Sequence, residues 1–235
     1  MPTVQLFATC LGDLLFPDAV ADADSLLREA GFDVEFPSRQ VCCGQPAFNA
    51  GHRSSARRVA RTFVRAFSHA TPVVTPSGSC ATMISRFLPE LVDCDPFAAW
   101  ELSAFLDAQG LEPGRRNDGR RIAYHDSCHM LRELRIADAP RRLLERSGAE
   151  LVALPRPDLC CGFGGTFSVR QPEVSVAMAD DKLAGAAAAG ADALVTADPG
   201  CLMHLRGRGA RLEDTVPVVH LATALARGVA RAGRS

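Results

Sequence analysis

Nine cysteines stand at positions 10, 42, 43, 80, 94, 128, 160, 161 and 201 of a 235-residue chain. Eight of them form two copies of one pattern. Cys10, Cys42, Cys43 and Gly44 recur 118 residues later as Cys128, Cys160, Cys161 and Gly162, and Cys80 recurs 121 residues later as Cys201. The flanks repeat as well: Val34 and Pro37 answer to Val152 and Pro155, and Val74-Thr75 to Val195-Thr196. Self-similarity at a fixed offset marks an internal duplication. Burial alone gives a cysteine no reason to keep a duplicated Cys-Cys-Gly spacing. Cys94, which has no counterpart, reads as a small buried hydrophobe. The odd count argues against a fully paired disulfide framework, and points to metal ligands or catalytic thiols.

The vicinal pairs carry most of the chemistry. In an extended segment successive side chains point to opposite sides. Cys42 and Cys43 are therefore poorly placed to ligate one tetrahedral ion together, and better placed to reach two irons of a multi-iron cluster. Gly44 and Gly162 remove a side chain where the backbone must turn or come close. With Cys10 and Cys80 added, the first repeat offers the four thiolates that iron–sulfur clusters use, and Cys128, Cys160, Cys161 and Cys201 do so in the second. Up to two 4Fe–4S clusters fit these numbers. Zinc is the rival. Structural zinc usually shows paired C-x₂₋₄-C knuckles, which are missing, but Cys201-Leu-Met-His204 is a C-x-x-H. A Cys₃His zinc site in the second repeat stays open, with His204 as a candidate additional ligand. Disulfide exchange by the vicinal pairs is a third reading.

Histidines gather in the second repeat. The run Tyr124-His125-Asp126-Ser127-Cys128-His129 sets two of them beside a proposed ligand. His125 and His129 are candidates to hydrogen-bond cluster sulfur without ligating it; the alternative is a polar residue on an exposed loop. His52 and His69 lack that context and read as surface residues. Gly162-Phe163-Gly164-Gly165 lacks the ending of a phosphate-binding loop and the placement of a dinucleotide fingerprint. It reads as backbone packed closely around a cluster.

The elements that must position these groups alternate between strand and helix. In the first repeat, strands are expected at residues 4–8, 34–36 and 73–75, and helices at 18–30, closed by Gly31, and at 54–68. Cys80 opens a further helix. In the second repeat, strands are expected at 121–124, 151–154 and 193–196, with helices at 139–147 and 173–189. Cys201 stands at a helix start, and a strand at 216–219 precedes a last helix. This pattern predicts an α/β fold of two tandem repeats, each a small parallel sheet flanked by helices. The break is expected in the polar, turn-rich stretch 110–119, giving repeats of 1–115 and 116–235. The cysteines follow the strands, at the carboxyl edges where ligands gather in such sheets.

Composition narrows the function classes. Hydrophobic residues make up 47% of the chain, enough for a sizeable core. Net charge is −1 without a run of like charges, so there is no electrostatic case for nucleic acid or an anionic membrane surface. The N-terminus MPTVQLFATC lacks the basic and apolar regions of a signal peptide. The most apolar stretch, 183–195, is interrupted by Gly185, Gly190 and Asp192 and is too short to span a bilayer. These features predict a soluble cytoplasmic protein without a transmembrane segment.

The same residues carry a family resemblance. CLGDLLFPDAV (10–20), CCGQPAFNAGH (42–52), SGSCATM (77–83), YHDSCHMLREL (124–134), CCGFGGTF (160–167) and DPGCLMH (198–204) resemble the cysteine-rich CCG domain. That domain occurs in one component of heterodisulfide reductase and in the iron–sulfur component of glycolate oxidase, and the details are most similar to a branch concerned with lactate utilization. The resemblance covers nearly the whole chain. It implies a non-flavin, iron–sulfur electron-transfer subunit of an oxidoreductase complex that converts L-lactate to pyruvate. The implied partners are a second iron–sulfur protein and a small accessory protein. The alternatives are a thiol–disulfide oxidoreductase of the heterodisulfide reductase type and a zinc-binding scaffold. Heterodisulfide reductase members carry C-x-x-C at the third segment and use five cysteines per site. Here the final position is Met83 in one repeat and His204 in the other.

Overall fold

The computed structural model describes residues 1–230. Two four-stranded, all-parallel sheets lie in tandem. The first contains β1 (Thr3–Leu6), β2 (Asp33–Glu35), β3 (Val73–Thr75) and β4 (Ala99–Glu101) in the order β2-β1-β3-β4. The second contains β5 (Arg121–His125), β6 (Glu150–Val152), β7 (Ala193–Thr196) and β8 (Val218–His220) in the order β6-β5-β7-β8. The order is the same in both, as a duplication requires. In each sheet the chain winds one way from its first strand and then the other, so β1/β3 and β5/β7 are switch points. Ligand crevices open at such points beyond the carboxyl ends of the strands.

The expected α/β fold with two repeats is therefore present. The helices Pro17–Glu29, Arg53–Ala66, Asp138–Arg146 and Pro172–Ala188 lie within two residues of their expected bounds. Among the elements of the first repeat that the sequence pattern did not anticipate are β4 and the helix Leu102–Ala108 that follows it. β4 reads Ala-Trp-Glu and has no β-branched residue, whereas its counterpart β8 has two valines. The polar connection between the repeats is not wholly solvated. Asn117 is fully buried, and its amide donates to Ser147 Oγ and the Ala224 carbonyl, both at 2.8 Å.

Period-2 alternation divides the strand side chains between two kinds of core. Val4, Leu6, Ile122, Tyr124, Ala193 and Val195 point into one core shared by both repeats. There the helices Pro17–Glu29, Leu102–Ala108, Asp138–Arg146 and Leu221–Arg227 pack between the two sheets. Leu26, Leu27, Leu106, Leu143, Leu144 and Leu225 are completely buried in it, each stabilising the fold by about 1.5–3 kcal/mol. Asp22 adds a polar tie across the repeats, accepting from Thr223 Oγ1 at 2.8 Å and Arg227 Nε at 2.6 Å. The opposite faces build two private cores. Phe7, Phe63, Met83 and Cys80 belong to the first, and Ala123, Leu183, Leu194 and Cys201 to the second.

Candidate metal centre

Each of the paired cysteines lies beyond a strand, in a loop or in the first turn of a helix, and side-chain hydrogen bonds fix several of these segments. After β1, Thr9 adopts φ 67°, and its hydroxyl accepts from Gly12 N at 3.0 Å, which starts the helix Cys10–Leu15. Gln40 clamps the incoming Cys-Cys-Gly loop to β1. Its Oε1 accepts from Ala8 N at 2.8 Å and its Nε2 donates to Leu6 O at 3.3 Å. This brings Cys42 Sγ to 3.6 Å from Cys10 Sγ. Cys43 goes elsewhere: its Sγ lies 3.3 Å from that of Cys80, inside the private core. The vicinal pair thus divides between two partners, as its adjacency implies. Gly44 has φ +92°, and its N–H donates to Cys42 Sγ at 3.4 Å.

The second repeat copies this. Cys161 Sγ lies 3.3 Å from Cys201 Sγ, and Gly162, at φ +94°, donates its N–H to Cys160 Sγ at 3.4 Å. In both repeats the second cysteine of the pair and the last cysteine are buried, while the other two are more open. The protons follow the hydrogen bonds. The Cys10 thiol directed at Cys42, with the Gly44 N–H, pulls its pKa down to about 3. Cys128 and the Gly162 N–H do the same for Cys160, to about 2. The donors are pushed up: Cys10 through Cys42 and Cys128 through Cys160, each with burial adding to the effect. Each repeat therefore stabilises a thiolate at the same point, the first cysteine of the pair, and thiolate is the form that binds metal.

All eight paired cysteines line a single cavity of about 550 Å³ between the repeats. Its walls are held together by contacts from one repeat to the other. Asp198 caps the helix Pro199–Gly209 by accepting from Gly200 N at 3.0 Å. Its other oxygen accepts from Ser79 N at 2.8 Å and Ser77 Oγ at 3.3 Å in the first repeat. Ser77 Oγ in turn accepts from Cys80 N. His220 accepts from Ala222 N at Nδ1 and, with its proton on Nε2, donates to Pro76 O at 3.1 Å. Gln45 Nε2 and His129 Nε2 meet at 3.1 Å across the cavity wall. Sequence reasoning did not single out Ser77, Asp198 or Gln45. For the first two a signal exists: Ser77 and Asp198 each stand three residues before a cysteine, with N-cap chemistry.

The remaining candidates separate. His125 is not on an exposed loop. It is the last residue of β5, fully buried, and neither ring nitrogen has a hydrogen-bond partner among the described residues. Stranding such a group costs about 1–3 kcal/mol. One of its nitrogens lies with Cys161 Sγ and Cys201 Sγ in a set whose atoms are all within 4.8 Å of one another. Burial, then the nearby Lys182 ammonium, holds its pKa down at about 3, so the imidazole is neutral. His129 lines the cavity, with Nδ1 3.6 Å from Cys128 Sγ. His204 turns to the neighbouring helix instead: its Nε2 lies 3.2 Å from Ser175 Oγ and 3.3 Å from Ser175 O. The C-x-x-H spacing placed it one helical turn from Cys201, but Ser175 holds its ring. Met83 is fully buried in the private core. Cys94 is only partly buried, so its reading as a buried hydrophobe is corrected; Asp93 and Asp95 on either side keep the segment near solvent. His52 and His69 are exposed as expected, the latter stacked on Phe97 at 3.8 Å between ring centroids. The donor chemistry fits thiolate-liganded clusters: four sulfurs per repeat on one cavity wall, and in the second repeat a buried imidazole whose nitrogens lack partners among the described residues.

Comparison with known proteins agrees with the duplication. The cysteine-rich CCG domain matches twice, over residues 4–85 and 122–206. Lactate utilization protein A of Geobacillus kaustophilus (strain HTA426) is 44% identical over 234 residues, covering 94% of this chain and 98% of that one. Lactate utilization protein A of Shouchella clausii (strain KSM-K16) is 41% identical, with the same coverage. Lactate utilization protein A 2 of Bacillus cereus (strain Q1) is 36% identical over 97% of this chain and 99% of its own. Among the described residues no helix is long and apolar enough to cross a membrane. With the domain matched in both halves and relatives aligned nearly end to end, the chain belongs to the cysteine-rich CCG-domain family.

Proposed function

We propose that this chain is an electron-transfer subunit of a lactate-oxidising system, holding iron–sulfur clusters on its two four-cysteine sets. One observation carries the reading: both sets, Cys10, Cys42, Cys43 and Cys80 and Cys128, Cys160, Cys161 and Cys201, line the same cavity. The relatives' name supplies the physiological setting, lactate utilization. A cluster supplies one-electron redox chemistry when bound. The chain's own part is to hold thiolate at Cys42 and Cys160, to keep water from the buried cysteines with the private cores, and to fix the two sets against each other through Asp198. Among the described residues the cavity wall carries no lysine or arginine to pair with a substrate carboxylate. The carbon chemistry belongs on a partner. By family resemblance the partners are a second iron–sulfur protein and a small accessory protein of the same system.

The test is anaerobic purification of the full chain. The expected product is brown, with iron and acid-labile sulfide. A colourless protein with stoichiometric zinc overturns the electron-transfer reading in favour of a zinc-bearing scaffold. Unimpaired growth on lactate after deletion of the gene overturns the substrate assignment.

A further inference from the structure

The two cysteine sets differ in what lies beneath the sulfurs. His125 and Phe7 stand at the same place in the duplicated pattern, three residues before Cys128 and Cys10. Phe7 is fully buried and packs edge-on against Phe63, 5.2 Å between centroids, and against Phe67 at 5.5 Å. Its surroundings are apolar, as its type requires. His125 takes the same place beneath the second set, equally buried, yet its two nitrogens are unpartnered among the described residues.

The exchange extends to the helix above. Gly44 faces Ala56 and Val59, and Gly162 faces Ser175 and Met178, so these helices correspond. Four residues beyond Val59 is Phe63; four beyond Met178 is Lys182. The pair Phe7–Phe63 in one repeat is thus His125–Lys182 in the other. Lys182 is satisfied, donating to the carbonyls of Arg156 and Pro157, the latter at 3.1 Å. His125 is not. Buried polar groups are hydrogen-bonded or bound to a metal, and the donor atoms gathered around His125 are the sulfurs of Cys161 and Cys201, all within 4.8 Å.

We propose that His125 is a direct metal ligand of the second repeat, making that site a mixed imidazole–thiolate centre while the first is held by thiolates alone. This rests on the reading of the cysteine sets as metal centres and says which atom completes one of them. Beside the four thiolates, a neutral imidazole adds a nitrogen donor that the first set lacks, and the identity of the ligands is one of the terms that set the potential of an iron–sulfur centre. The two sites of one chain would then differ in ligand chemistry and so in potential. His204, held by Ser175, is outside the ligand set.

The experiment uses the full chain, anaerobically reconstituted with ferrous iron and sulfide and then reduced, with and without nitrogen-15 histidine. Pulsed paramagnetic resonance should show a strong histidine nitrogen coupling. The coupling should be lost in H125F, which borrows the first repeat's residue, and kept in H204Q. H125C restores a ligand at the same place. It should retain the wild-type iron content and still lack the coupling, so the conclusion does not hang on H125F folding. Iron-loaded wild-type chain without the coupling, or a coupling that survives in both His125 variants, overturns the proposal. If the chain takes zinc and no iron, the cluster reading fails by itself, and zinc-edge absorption decides the ligand. One imidazole nitrogen lost in H125C supports it, and an all-sulfur shell overturns it. A chain that binds neither metal overturns both.

Discussion

The Asp198 carboxylate accepts the backbone N–H of Ser79, 2.8 Å away in the other repeat, while its second oxygen caps its own helix through Gly200 N. The helices that begin with Cys80 and Cys201 in their first turns are therefore tied at their N-termini through one buried side chain. Neither repeat has this anchor alone, because the position equivalent to Asp198 is Ser77, whose shorter side chain bonds Cys80 N and reaches Asp198.

D198A removes the cap and strands the Ser79 N–H. A cap is worth about 1 kcal/mol and a buried hydrogen bond to a charged acceptor about 1.5–3 kcal/mol. The expected loss is ~2–4 kcal/mol by urea denaturation, with metal content falling in both sites together. D198S keeps a cap and should recover part of the stability. A loss below about 0.5 kcal/mol for D198A would contradict the coupling.

Gly78 sits against Met130 of the other repeat. A Cβ on Gly78 would lie 2.8 Å from Met130 Sδ and closer still to its Cγ. G78A should cost about 1–3 kcal/mol through overpacking. Because Met130 is flexible and nearly fully buried, M130A should absorb much of that cost while opening a void of its own. The double variant should then be more stable than the sum of the singles predicts, by about 1–2 kcal/mol. Strict additivity in chemical denaturation would mean that the two side chains do not meet.

Gly44 and Gly162 have the same backbone conformation but different surroundings. At φ +92° and +94° an alanine is strained equally in both, by roughly 1–2 kcal/mol. The nearest atom to an added Cβ is Ala56 O at 3.4 Å for Gly44, but Ser175 O at 2.5 Å for Gly162. G162A should be the more damaging, since a helix carbonyl cannot step aside as a side-chain tip can. It also disturbs Ser175, which donates to Gly162 O at 2.8 Å. Thermal midpoints and metal content of the two variants test this. Equal effects would refute it.

Two buried caps titrate in opposite directions. Glu101 caps the helix Leu102–Ala108, and burial raises its pKa from 4.5 to about 7. The native state holds that proton more tightly than the unfolded chain, so its contribution is complete below pH 4.5 and is lost as pH rises through 7. His220 caps the helix Leu221–Arg227, and burial lowers its pKa from 6.5 to about 4. Its contribution is present above pH 6.5 and is lost as pH falls through 4. E101Q should gain on the wild type as pH rises from about 4.5 to 8, by on the order of 3 kcal/mol. H220N should flatten the decline below pH 6.5. Stability profiles of both variants that parallel the wild type would show that neither group is perturbed.

Local order along the chain decided much of this protein. The offset between the Cys-Cys-Gly segments revealed the duplication, and β-branched runs such as Val73–Thr75 and Ala193–Thr196 marked the strands, because strand and helix formation and repeat identity are properties of neighbouring residues. β4 was illegible for the same reason: three residues without a β-branched side chain become a strand only when β3 lies beside them. The adjacency of Cys42 and Cys43 already implied separate partners. That both cysteine sets share one cavity, that His125 lies under Cys161 and Cys201, and that His204 turns to Ser175 could not be read from spacing. These facts depend on how two parallel sheets pack around a shared core, and that packing joins side chains far apart in the chain, such as Ser77 and Asp198. Periodicity reports which face of an element is buried. Only the assembled fold decides what it is buried against.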